Sequence, residues 1–307
     1  MNINSEKKCN FAWFHKEMLQ KKIIVPVDFS EFSLYPLETA IHFAQLKKGE
    51  IVLLHVLETP SLPTRIFTSQ DEDDMRERAD KLLNQLIAKY NDSGVEFSKM
   101  IKTGKPHNAV VEAASEISAW MVMMSTHGAT GIKEYLVGSN ASRIIRGCKS
   151  PVISFRNAHP RQGFMNILLP LDLTKETREK VAFAWEFSEY FGSKVHIMSV
   201  LQTEDPAIRE RLQLQLDKVS EFFESKGVKH EAKLLLSEAP ISDVVVKYGE
   251  EIGADLIAIM TQQELKMKEQ FMGSTAEHIV NHSEIPVISI RPTREYVQPK
   301  LSWSFNG

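Results

Sequence analysis

Cysteine is scarce in this 307-residue chain: only Cys9 and Cys148 occur, without paired spacing. That excludes a disulfide framework or a cysteine-based zinc site and fits a reducing, cytoplasmic setting. Long hydrophobic runs are lacking too. Apolar stretches such as Trp120–Met124 and Leu256–Met260 stop after a few residues, whereas a bilayer-spanning helix needs about 20. No membrane partner is expected. An excess of one charge is missing as well: 37 basic against 40 acidic residues leave a net charge of -3, so no electrostatic footprint for nucleic acid exists. Residues 1–20 hold Lys7 and Lys8 but no sustained apolar segment. They read as a leader rather than a signal peptide.

What is present is a normal globular balance, 43% hydrophobic and 25% charged, in a length that suits two domains. The chain repeats itself once. Ile23-Ile24-Val25-Pro26-Val27-Asp28-Phe29-Ser30 corresponds to residues 167–174, 144 positions later. Gly138-Ser139-Asn140-Ala141 corresponds to residues 273–276, and Pro151-Val152-Ile153-Ser154 recurs unchanged at 286–289, both 135 positions later. The second copy is therefore nine residues shorter, and the long acidic stretch Glu58–Asp74, against the brief Gln202–Pro206, is where the difference is expected.

Within each copy short apolar runs alternate with helical patterns. Strands are expected at Lys22–Val27, Ile51–Leu57, Glu96–Lys102, Met121–Ser125 and Val152–Phe155, because continuous apolar runs suit strands covered on both faces. Leu34, Leu37, Ile41 and Ala44, and in the second copy Leu212, Leu216, Val219 and Phe222, recur at helical spacing. Strand–helix alternation implies right-handed parallel crossovers. The expected architecture is α/β: two tandem, doubly wound, five-stranded parallel-sheet domains. Their bounds are 21–156 and 165–292, with a linker at 157–164 and a tail at 293–307.

In such sheets ligands lie beyond the carboxyl ends of the strands where the winding reverses. After the first strand stands Asp28, which could accept bonds from sugar hydroxyls, help hold a cation, or, with Ser30, cap the next helix. After the fourth strand stand Ser125-Thr126-His127-Gly128, nine further residues, and Gly138-Ser139-Asn140 opening a helix. Glycine lets backbone approach a phosphate, and helix-start amides point at an anion.

This arrangement resembles the universal stress protein family, whose nucleotide-binding members carry G-x2-G-x9-G-S/T after strand four. Ser125 stands at the first glycine position, Gly128 at the second and Gly138-Ser139 at the third. Val-Pro-Val-Asp-Phe-Ser (25–30) and Leu-Leu-His-Val (53–56) are also similar to the family. The resemblance covers roughly 21–156 and, more weakly, 165–291. It implies an adenine-nucleotide alpha-hydrolase-like, Rossmann-like fold. It further implies a site in the first copy for ATP (or AMP or ADP), with or without Mg2+. Val27 and the Val56 backbone would meet the adenine, Asp28 the ribose or the metal, and Met124 and Ser125 the adenosine, with Pro26 also among the nucleotide-binding residues. Gly128, Gly138, Ser139 and Asn140 would hold the phosphates. Serine for glycine at 125 should weaken the cradle, which puts affinity at roughly micromolar at best. In the second copy Met260 and Gln263 replace Ser125 and Gly128, and only Asp172 and Gly273-Ser274-Thr275 persist. That copy is expected to serve as a packing partner.

The resemblance also implies pairing through the fifth strands, which a tandem chain can satisfy internally as a pseudo-dimer, with a homodimer of the whole chain still open. The expected function is a non-enzymatic, nucleotide-binding stress-response regulator whose Glu58–Asp74 and Ala129–Val137 segments order on binding. The alternatives are a slow ATPase or nucleotidyl transferase, or a structural module with both sites vestigial. No His-x-Gly-His, Ser-Gly-Gly-x-Asp-Ser or Walker A sequence occurs. His127 reads as a rim residue rather than a general base, and Cys148 carries no redox signature.

Overall fold

The computed structural model describes residues 21–58, 69–127, 138–158, 163–174, 177–261 and 272–291. Five strands come from the first half: β1 (Lys22–Pro26), β2 (Glu50–Leu57), β3 (Glu96–Thr103), β4 (Met121–Ser125) and β5 (Val152–Phe155). They differ from the expected spans by at most a residue at either end. The second half supplies β6 (Asn166–Pro170), β7 (Lys194–Leu201), β8 (His230–Leu236), β9 (Leu256–Met260) and β10 (Val287–Ile290). Between them lie α1 (Tyr35–Lys47), α2 (Ser69–Lys89), α3 (Pro106–Glu116), α4 (Ser139–Gly147), α5 (Thr177–Phe191), α6 (Pro206–Ser225), α7 (Ile241–Glu251) and α8 (Ser274–His282).

Each half is a parallel sheet in which the chain starts at the centre and winds both ways, in the order β3-β2-β1-β4-β5 and its counterpart β10-β9-β6-β7-β8. The central strands β1, β4, β6 and β9 are apolar and buried along nearly their whole length. The edge strands β3 and β8 carry only half-buried and exposed residues. The length difference between the copies falls largely after the second strand, where 58–68 precede α2 but only 202–205 precede α6.

The two sheets fuse. β5 and β10 pair antiparallel, with Ile153 opposite Ile288, making one ten-stranded sheet. Two edges that would otherwise be open are thereby closed within one chain. The cores follow suit. One runs along the face under α1, α2, α5 and α6, the other under α3, α4, α7 and α8, and each continues across both halves. On the first face, Phe43 of α1 meets Phe164, Phe187 and Phe191 with ring centroids 5.4, 5.6 and 4.4 Å away. The pseudo-twofold also appears in polar contacts. Arg156 donates to the carbonyl of Asn281 near the end of α8, and its counterpart Arg291 donates to the carbonyl of Gly147 at the end of α4. Cations near helix carboxyl ends are favourable.

Candidate functional site

The first half opens a cleft of about 400 Å³ over the carboxyl ends of its central strands. Nine of the ten residues singled out from the sequence line it: Pro26, Val27, Asp28, Val56, Met124, Ser125, Gly138, Ser139 and Asn140. The tenth, Gly128, lies outside the described residues, as do the intervening residues 129–137.

Each wall has a local cause. β1 delivers Pro26 and Val27, and the Val27 amide donates to the carbonyl of Leu54 while its own carbonyl accepts from His55 Nδ1 at 2.8 Å. His55 is thus a half-buried histidine whose Nδ1 is satisfied. The chain then turns at Phe29, whose φ of 65° is rare for a side chain of that size and costs of order 1–3 kcal/mol. Its ring lies 4.5 Å from that of His55. The turn leaves Asp28 exposed at the cleft. Asp28 Oδ1 accepts from the amide and hydroxyl of Ser30, and the Asp28 amide faces Ser33 Oγ. The local-turn role and the cleft-facing position therefore coexist in one residue.

On the opposite wall, β4 ends at Ser125, whose hydroxyl oxygen accepts from the amide of His127. The serine side chain that replaces glycine is folded back onto its own loop. Gly138 donates its amide to the Thr126 carbonyl at 3.0 Å. A Cβ on Gly138 would sit 3.3 Å from that same oxygen, so close approach, rather than an unusual φ, asks for glycine here. Gly138 brings no capping side chain to α4, and the first amides of any helix lack intrahelical partners. Those of Ser139, Asn140 and Ala141 supply donors and the positive end of a dipole at the cleft.

The cleft's described lining includes two carboxylates, Asp28 and Glu58, and no lysine or arginine. His127 lines it as well, its Nδ1 sharing a hydrogen bond with Thr126 Oγ1. Burial, and then the Arg156 charge, hold its pKa below the ordinary histidine value, which favours the neutral ring. Arg143 is exposed on α4. Burial pushes the Cys148 thiol up to about 11.

Sequence reasoning missed His107, which starts α3 and donates Nδ1–H to Asn140 Oδ1 at 3.2 Å, steering that side chain. It also missed Ser33, Glu58, Pro106 and Ile144 in the lining. One usable signal was position: Pro106 and His107 come just after the carboxyl end of β3, at the cleft edge.

The second half has a corresponding cleft of about 310 Å³, lined by Asp172, Met260 and Thr275. The Gly273 amide donates to Thr261 as Gly138 does to Thr126. Gln263 lies outside the described residues. No group of three or more metal-ligating side chains occurs among the described residues, and no helix there is long and apolar enough to cross a membrane.

The chain matches the Universal stress protein family over residues 20–156 and again over 163–291. It is similar to Universal stress protein MJ0577 of Methanocaldococcus jannaschii, 27% identical over 153 residues, which is 44% of this chain and 94% of that protein. A universal stress protein from Archaeoglobus fulgidus DSM 4304 shares the fold over 88% of this chain and 96% of its own, with 22% identity and a TM-score of 0.71. A shorter Archaeoglobus fulgidus universal stress protein was solved in complex with dAMP. It covers 41% of this chain and 97% of its own, at 24% identity and a TM-score of 0.35.

Proposed function

The chain belongs to the universal stress protein family, with the family's domain present twice, and from that premise we propose that its first half binds an adenine nucleotide, ATP or its mono- or diphosphate. The observation that carries this reading is the convergence on one cleft, at the point where the winding reverses, of Asp28, Val56 and the start of α4 at Gly138-Ser139-Asn140. At about 400 Å³ the volume lies in the range of small-molecule sites. Val27 and Val56 flank the adenine, Asp28 meets the ribose, and the α4 amides with the Ser139 hydroxyl take the phosphates. With two carboxylates and no described cation in the lining, a triphosphate is better accommodated as its magnesium complex, with Asp28 near the metal.

The role is that of a regulator rather than a catalyst. Asp28 is engaged by Ser30 and His127 shares a hydrogen bond with Thr126, so neither of these two described residues is held as a general base aimed at a water. Nucleotide binding shifts a conformational equilibrium only if the two states bind it differently, and the segments that follow Glu58 and precede Gly138, both lining residues, are the ones in which we propose that the change occurs. Hydrogen exchange with and without saturating Mg-ATP tests this: slowed exchange in either segment is expected, and unchanged exchange in both refutes the switch. ATP turnover above about 1 s⁻¹, typical of enzymes, and lost in Asp28→Asn, would put a catalyst in its place.

A further inference from the structure

We propose that the cleft of the second half is a separate binding site for a small apolar acid, a medium-chain carboxylate in chemical class, whose head group is held by Lys180. The cavity has room for roughly ten water-sized units at about 30 Å³ each, and its walls are aliphatic: Leu171, Leu212, Val245, Ile259 and Met260 among them. Into this lining comes Lys180, which is only 5% exposed. Lysine ordinarily runs its stem along apolar surface and keeps its ammonium in water. Lys180 does not.

Its ammonium is poorly provided for. The nearest carboxylate oxygen, Asp172 Oδ2, stands 3.9 Å away, beyond hydrogen-bonding distance. The other oxygen of that carboxylate already accepts from the amide and hydroxyl of Thr174. The described residues offer Lys180 no hydrogen bond, although an ammonium has three to donate. It also sits in the first turn of α5, where the helix dipole disfavours a cation and favours an anion. Burial accordingly holds its pKa below the lysine range. An incoming carboxylate would relieve all three penalties together.

The shared fold does not require this lysine, because its counterpart in the first half is Pro36. A nucleotide suits the cavity poorly, since the aliphatic walls offer little to ribose or a base edge. The mouth fits a hydrocarbon tail. Leu173 and Ile241, both lining residues, are 39% and 37% exposed.

The test is calorimetric titration of the full chain with decanoate, decanol and decylamine. One decanoate should bind per chain, at least about tenfold tighter than decanol, as a hydrogen bond to a charged group implies, and decylamine should not bind. Lys180→Met should lose that preference while keeping decanol binding. Val200→Phe, which fills the cavity and spares the lysine, should lose both, and Gly138→Val should change neither. Failure of the wild-type chain to saturate with decanoate, equal affinity for decanol, or undiminished decanoate binding by Lys180→Met would each overturn the proposal. Should Lys180→Met not fold, the three-ligand comparison on the wild-type chain, with Val200→Phe, decides.

Discussion

Replacing Glu186 by glutamine should stabilise this protein at pH 8 and leave it nearly unchanged near pH 4.5. Glu186 lies on α5, close to Lys21 of the first half, and is only 7% exposed. Burial, reinforced by Glu189 and partly offset by Lys21, raises its pKa from 4.5 to about 7. A carboxyl with a raised folded-state pKa holds its proton more tightly when folded. The stability linked to that proton is complete below about pH 4.5 and is lost as pH climbs through about 7. The full shift corresponds to at most about 3 kcal/mol. Glutamine keeps the shape and cannot ionise, so the variant should gain about 1–3 kcal/mol over wild type by pH 8. Urea unfolding curves for both proteins across this pH range measure the difference, and near-ultraviolet dichroism reports on Trp120, whose ring lies 6.3 Å from that of Tyr190 across the junction. A gap between the two proteins that does not change with pH would refute the reasoning. Removing Lys21, the cation that lowers the Glu186 pKa, should move the transition to still higher pH.

Other consequences of the fold can be checked directly. Ile153→Ala, at the β5–β10 seam opposite a fully buried Ile288, should cost about 2–5 kcal/mol, whereas Leu236→Ala on the exposed edge should stay within about 0.5 kcal/mol; urea midpoints compare them. Cys148, buried with its thiol pushed up to about 11, should resist Ellman's reagent in a Cys9→Ser background and react promptly in denaturant. The His127 ring should titrate below the ordinary histidine value in an NMR pH series. A midpoint above that value would contradict the burial of its charge.

Much of this architecture was legible because its signals are local. The apolar runs of β1 and β4 and the repeated Pro-Val-Ile-Ser segment mark central strands wherever they occur, and the duplication places five strands in each half. The spacing of Ser125, Gly138 and Asn140 around a strand end brought the first cleft into view, because position along a parallel strand determines which edge of the sheet a residue reaches. Lys180 was not legible. It closes the string Lys-Glu-Thr-Arg-Glu-Lys at 175–180, which reads as a solvated helix start, and only tertiary packing sets it apart from its charged neighbours. Comparing the copies for surviving phosphate ligands showed what the second cleft had lost, not what stood in its place. The pairing of His107 with Asn140 was hidden for the same reason, since 33 positions separate the two in the chain.

The most direct test of nucleotide binding in the first half is calorimetric titration of the purified, nucleotide-stripped chain with Mg-ATP, beside the Gly138→Val variant. Valine would press its Cβ toward the Thr126 carbonyl, 3.3 Å away, and crowd the α4 amides. Saturation at one nucleotide per chain, with an affinity of roughly micromolar that is lost in the variant, is the predicted result. Absence of heat and of any thermal shift at millimolar nucleotide, or equal binding by Gly138→Val, would contradict it.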